Sequence, residues 1–180
     1  NLILASGSPR RKELLSLYTT DFTICVSDFD ESGVTAPTPA QLVEKLARGK
    51  CLAVAKDHPA RWCWDVTPSW IGGEVFGKPH SVEDAKRMLR ALSGATHEVH
   101  TALRIGRRTH RELRGQLQGD LLPDFGREID AYTATKEPYD KAGAYAIQGR
   151  AALWLDRLEG DYYTIMGLPV SRTARLLSGF

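Results

Sequence analysis

Apolar and polar positions along the chain alternate in blocks that read as short strands separated by amphipathic helices. Leu2, Ile3 and Leu4 form an unbroken apolar run of the kind a buried strand makes. Ser6, Gly7 and Ser8 then turn the backbone, and Pro9 stands at the first position of a helix over roughly 9–18, with Ser8 as its cap. Asp21 to Ser27 reads as a strand in which Phe22, Ile24 and Val26 alternate. Beyond the acidic run from Ser27 to Ser32, Thr38 and Pro39 open a helix that continues to about residue 57. Ser81 with Asp84 forms a capping box for a helix that carries Met88, Leu89 and Leu92 and stops at Gly94. Glu98 to Ile105 reads as a strand followed by a basic turn, and residues near 127–135 as a short helix. Ala151 to Leu158 reads as a strand, and roughly 170–178 as a last helix. The economical architecture is α/β, with a long, mixed central sheet flanked by helices.

Composition narrows the class without deciding it. A chain of 180 residues with 42% hydrophobic and 26% charged positions suits one soluble globular domain, or two closely apposed lobes, around a real core. A net charge of +2 is too small to argue for nucleic acid or a membrane surface as partner. No apolar run approaches a bilayer span, and nothing resembles a signal peptide. Residue 1 is Asn rather than Met, which leaves room for a short leader ahead of it. Cys25, Cys51 and Cys63 are odd in number and lack paired metal spacing, so a reducing cytoplasm is expected.

Charge in particular places is more informative. Arg10 and Arg11 lie on the first turn of the first predicted helix, where cations oppose a dipole that favours anions. A strand, a small-residue turn and two guanidinium groups together read as a phosphate cradle; the alternative is a plain strand–turn–helix with solvated arginines. On the helix from Thr38, the stripe Leu42, Leu46 continues to Lys50, which either snorkels at the edge or points into a polar cleft. Lys78 lies in Phe76-Gly77-Lys78-Pro79, a turn that permits close backbone approach. Asp65 interrupts the apolar Trp62-Cys63-Trp64, as either an edge residue or a buried carboxylate. Paired with Glu31, it could hold a divalent cation against phosphate oxygens. Glu137 to Gly149 mixes the Asp140–Lys141 pair, two glycines, an aromatic and Gln148, the composition of a ligand-lining loop. The Gln148 amide suits reading a base edge. The alternative is a tight helix-to-strand connection with a surface ion pair.

These blocks together resemble the Maf (septum formation inhibitor) family of nucleoside triphosphate pyrophosphatases, over nearly the whole length. The resemblance rests on Leu4 to Leu15, Ser27 to Ser32, Leu46 to Lys50, Phe76 to Pro79, Met88 to Gly94, Glu137 to Gly149, Glu159 to Tyr163 and Met166 to Pro169. The block from Asp140 to Gly149 is most similar to the dTTP/UTP branch. The resemblance implies a single Maf-like domain over 1–180, with two lobes around a nucleotide cleft, similar to the inosine-triphosphate pyrophosphatase fold. It implies hydrolysis of dTTP, UTP or related and modified nucleotides to monophosphate and pyrophosphate, by water attack at the α-phosphorus with Mg or Mn. Arg10, Arg11, Lys50 and Lys78 would neutralise phosphate charge, and Asp65 would orient or deprotonate the water. Glu31 would share the metal with Asp65. Ser6 and Ser8 would lie near the phosphates, and Gln148 and Lys141 would contact the nucleotide. A homodimer, with no nucleic-acid or membrane partner, is expected on the same ground.

Two segments depart from the family pattern. Bulky Trp64 precedes Asp65 and Pro68 follows it, so that strand is expected to be short or distorted. Gly119, Pro123 and Gly126 interrupt the stretch 117–126, where the family has a β-branched strand. A nucleotide-binding regulator of cell division with little turnover is therefore a rival reading, and the methylated-GTP branch another. Arg104, Arg107, Arg108, Arg111 and Arg114 read as a solvated hairpin, since no aromatics interleave them for stacking on bases. His97, His100 and His110 lack zinc spacing. Trp62, Trp64 and Trp70 are assigned to packing before any base pocket.

Overall fold

The computed structural model describes residues 2–58, 62–68, 74–105, 109–111 and 128–178; for 62–68, 105 and 109–111 the description is of the backbone alone. The stretch 117–126, Trp70 and the turn after Ile105 lie outside the described residues. The fold is mixed α/β. The chain divides into two compact units, one comprising Asn1–Pro68, His100–Arg114 and Tyr163–Phe180, the other Ser69–Val99 and Gly115–Tyr162.

The first unit is built on a five-stranded sheet: β1 (Leu2–Leu4), β2 (Phe22–Ile24), β3 (Trp62–Pro68), β4 (Thr101–Ile105) and β5 (Thr109–Arg111), in the order β2-β1-β3-β4-β5. β1 is parallel to both β2 and β3, while β4 runs antiparallel to β3 and to β5. Helix α1 (Pro9–Ser16) connects β1 to β2, and α2 (Pro39–Asp57) connects β2 to β3. β1 is buried on both faces, as its unbroken apolar run requires. Leu2 and Leu4 pack with Leu14 and Leu15 of α1, Leu103 of β4 and Leu168, and Leu176 and Leu177 of α6 (Val170–Leu177) join them. Ile3 and Ala5 face Cys51 and Val54 of α2. Ala102 of β4 meets Val43 and Ala47 of the same helix.

Local signals account for the start of α2 and both ends of the next helix, Val82–Leu92. Thr38 caps α2, its side chain accepting the Gln41 N–H at 3.3 Å, with Pro39 in the first turn. Inside α2, Gly49 leaves space for the Phe29 ring, which lies so close that a Cβ there would overlap it. That contact docks the acidic loop onto the helix. In the second unit, Ser81 accepts the Asp84 N–H at 3.1 Å and starts α3 (Val82–Leu92). Gly94 follows its end at φ +67°. The buried face of α3 (Ala85, Met88, Leu89, Leu92) lies on the same unit as α4 (Glu128–Thr133), to which Lys86 is tied by a 2.6 Å ion pair with Asp130. Asp130 is held below the usual carboxylate range by that lysine.

Four expectations need correction. The strand expected over Asp21–Ser27 is only Phe22–Ile24, with Ile24 and Val26 exposed; Cys25 packs against the core instead, and its N–H reaches Leu4 O at 3.0 Å. The strand expected from Glu98 begins at Thr101. β3 is the longest strand of the sheet rather than short, because β1 pairs only with Trp62–Trp64 and Pro68 ends the strand opposite Thr101. Ala151–Leu158 is not a strand: Arg150–Trp154 forms a 3-10 turn, whose buried residues Ala151 and Trp154 are three apart while Leu153 is exposed. A short helix not foreseen, α5 (Tyr162–Met166), precedes α6.

The Gly49–Phe29 contact inverts an ordinary substitution. Gly→Ala inside a helix normally stabilises by about 0.5–1 kcal/mol. Gly49→Ala is expected to lower stability in the wild type and to raise it by about that amount in a Phe29→Ala background, measured by urea unfolding of the four chains.

Candidate active site

The turn that follows β1 carries the predicted phosphate-binding residues. Ser6 is buried, and its Oγ accepts from the Arg11 guanidinium at 2.8 Å and from the Ser8 N–H at 3.4 Å. Ser8 stands at the N-cap of α1 with Pro9 behind it, but its side chain does not cap the helix; the Ser6 hydroxyl serves this turn instead. Arg11 also packs near Gly167, where a Cβ would come within 3.4 Å of its Nε. Arg10 and Arg11 are both half-buried on the first helical turn, which contains no acidic residue. Two cations held at the positive end of a helix dipole favour an anionic ligand.

The acidic loop supplies the next pair. Glu31 Oε1 lies 2.8 Å from Lys50 Nζ, and Lys50 is largely covered while Glu31 is half-exposed. The lysine that continues the Leu42–Leu46 stripe is thus turned to a carboxylate rather than extended into solvent. Two local turns shape the loop: the Phe29 N–H donates to Ser27 Oγ at 3.1 Å and the Ser32 N–H to Asp30 Oδ1 at 2.9 Å. The backbone N–H of Ser32 holds Asp30 below the usual carboxylate range.

Asp65 lies on β3 one residue beyond Trp64, which is paired with Leu4, the last residue of β1. Its backbone is therefore level with the start of the Ser6 turn, just past the end of the β1–β3 pairing and within β3, which continues to Pro68. The chain leaves β1 for β2 on one side, and β3 lies on the other. Such a switch in strand order leaves a crevice for ligands outside the strand ends. The antiparallel ladder sets Asp65 opposite Arg104. Arg104, expected in a solvated hairpin, is buried because β4 is covered on both faces, which its sequence pattern did not signal. The Asp65 side chain and those of Trp62, Trp64 and Cys63 lie outside the described residues.

The second unit holds the remaining candidates. Lys78 is exposed in the Gly77–Pro79 turn, and the Gly143 N–H donates to Gly77 O at 3.1 Å. Lys141 pairs with Asp140 and donates to Glu137 O at 3.3 Å. Gln148 is exposed. His97, set aside in the sequence, is buried and bonded to the Tyr145 hydroxyl at 2.5 Å, ring edge to face. Burial pushes the Tyr145 phenol up. His100, in the first unit, is also buried.

Carboxylate oxygen with phosphate oxygen is the donor set of a hard divalent cation, so Glu31 fits Mg or Mn in its chemistry. Among the described residues no group of three His, Cys, Asp or Glu converges on one point, and no helix is long and apolar enough to cross a membrane.

The Maf-like protein family matches residues 1–180. A dTTP/UTP pyrophosphatase of Bacillus cytotoxicus is 42% identical, over 99% of this chain and 94% of its own length. Proteins of the same name from Bacillus mycoides (40%, over 99% of this chain and 95% of theirs) and Lachnoclostridium phytofermentans (41%, over 95% and 90%) are similar. A full-length family match, relatives at this identity, and a cationic turn at the end of β1 lead to one conclusion: the chain belongs to the Maf-like protein family.

Proposed function

We propose that this chain is a nucleoside triphosphate pyrophosphatase that converts dTTP or UTP to the monophosphate and pyrophosphate. The observation that carries the reading is the switch point of the first unit, where Ser6, Arg10 and Arg11 follow β1 and Asp65 lies on β3 just beyond the pairing with β1. The name shared by the curated relatives supports the choice of substrate.

In this reading Arg10 and Arg11 bind triphosphate oxygens, and Ser6 orients Arg11. Lys50 adds positive charge against the phosphates, held by Glu31 in the absence of nucleotide. Asp65 takes a proton from water as its oxygen bonds to the α-phosphorus. The bond from that phosphorus to the oxygen bridging it to the β-phosphate breaks, and pyrophosphate leaves with that oxygen. Positioning and charge compensation are most of what such a transfer asks of a protein. A divalent cation, held by Glu31 and Asp65, would offset further phosphate charge. Ser8, Lys78, Lys141 and Gln148 are assigned to the same nucleotide on the family resemblance, as are the two-lobed cleft of a single domain, a homodimer and a cytoplasmic setting.

The direct test is stoichiometric release of monophosphate and pyrophosphate from dTTP and UTP with magnesium or manganese; a full nucleotide panel left intact would overturn the reading. Asp65→Asn is expected to abolish turnover while dTTP still raises the melting temperature. Arg11→Ala and Lys78→Ala are each expected to weaken triphosphate binding by about 1–3 kcal/mol, the scale of charge-assisted hydrogen bonds, measured by titration calorimetry.

A further inference from the structure

One carboxylate closes the segment that carries Lys141 and Gln148. Glu137 Oε1 accepts the Tyr132 hydroxyl at 2.9 Å, and Oε2 accepts the backbone N–H of Arg150 at 3.2 Å. The same carboxylate lies against Gly149 so closely that a Cβ there would overlap it. Its grip therefore falls on the two residues that follow Gln148. Tyr132 is fully buried, and its hydroxyl also accepts the Ala146 N–H, while its ring meets Trp154 edge-on at 5.3 Å. Burial, then the hydrogen bond to Glu137, pushes the Tyr132 phenol up, so it stays a donor to the carboxylate.

Within the closed segment, Gly143 and Ala144 have φ of +71° and +60°. Glycine tolerates this; alanine does so at a cost and persists only where its surroundings over-determine the backbone. Tyr132 and Glu137 supply that constraint, with bonds to Ala146 and Arg150 on the far side of Ala144. A surface turn needs none of this. A segment that presents side chains to a ligand at fixed geometry does.

We propose that Glu137 is a positioning residue for pyrimidine nucleoside triphosphates, holding the Gln148 end of the segment through Gly149 and Arg150 without touching the nucleotide. The proposal rests on the pyrophosphatase reading. It separates binding from chemistry: Glu137 acts on Gln148 and Lys141, whereas the group that takes the water proton, Asp65, belongs to the first unit. Loosening the pin should move KM and base preference before kcat.

The experiment is steady-state kinetics on dTTP, UTP and GTP with Mg2+ for the wild type, Glu137→Ala, Glu137→Gln, Gly149→Ala and the Glu137→Ala/Gly149→Ala double variant. Glu137→Ala and Gly149→Ala are expected to raise KM for dTTP about tenfold, with kcat changed by less than about threefold, and to narrow the preference for dTTP over GTP. Glu137→Gln should recover most of the wild-type KM, because its amide oxygen can accept one donor and its NH2 can donate to the Tyr132 oxygen. The double variant should be no worse than either single one, since both release the same contact. An unchanged KM in Glu137→Ala, a loss confined to kcat, or additive effects would overturn the proposal. Should Glu137→Ala fail to fold, Gly149→Ala and Tyr132→Phe, which removes only the hydroxyl that joins Glu137 to Ala146, make the same test. A wild-type chain that leaves dTTP and UTP intact would overturn the functional reading, and this proposal with it; an active wild type with an indifferent pin overturns the proposal alone.

Discussion

The burial of β1 on both faces is the constraint from which the rest of the first unit follows. Three apolar residues in a row leave no polar face, so the strand is stable only between two layers. Leu2 and Leu4 take α1 and α6 as one cover, Ile3 and Ala5 take α2 as the other. A strand covered on both sides must have strands on both edges too, or its buried backbone groups would lack partners. β2 and β3 fill those edges, each parallel to β1, and the chain therefore departs from the carboxyl end of β1 in a switch of direction. Any crevice that such a switch leaves would be a by-product of packing. Its chemistry comes from the polar residues that happen to follow an apolar run.

Those residues put charge where the fold alone would resist it. A net charge of +2 spread over 180 residues creates no useful field. Arg10 and Arg11 on a helix's first turn are another matter, since both the dipole and their mutual repulsion oppose them. The Ser6 hydroxyl, a neutral acceptor, fixes the Arg11 guanidinium without cancelling its charge. Lys50 meets a different solution, an ion pair with Glu31 on a loop anchored by Phe29 at Gly49. The carboxylate that meets Lys50 is a partner that a phosphate could replace.

What the sequence made legible was what short-range chemistry decides. Thr38-Pro39 and Ser81 with Asp84 marked helix starts because a cap is made within four residues of itself. Gly94 marked an end for the same reason. The unbroken Leu2–Leu4 run gave a buried strand, whereas the pairing of Glu31 with Lys50 was not foreseen. The failures share a different origin. Ala151–Leu158 looks apolar enough for a strand, but its partner is Tyr132 in a distant helix, which draws Trp154 onto a three-residue repeat. Ser8 has the composition of a cap, yet the neighbouring Ser6 accepts the N–H and the guanidinium. Arg104 gave no signal of burial because burial on both faces of β4 depends on α2 and on the Leu14–Leu15 cluster, neither of which is nearby in sequence.

The two units also differ in how they hold their polar residues, and the difference suits different tasks. In the first, Arg11, Lys50 and Asp65 are carried by helices and a central strand, whose positions are set by a core of aliphatic side chains. Groups that must meet a reacting phosphorus need that precision, since small displacements there are costly. In the second, Lys141 and Gln148 lie on a segment of 3-10 turns that has little regular hydrogen bonding of its own. Its shape depends on a few side-chain bonds, and a polar hub at Tyr132 and Glu137 takes the place of a secondary-structure ladder. Such a segment can change sequence and shape without disturbing the sheet. If the proposed roles hold, with phosphate chemistry on the sheet and base recognition on the pinned segment, the choice of nucleotide could change while the reaction stays the same.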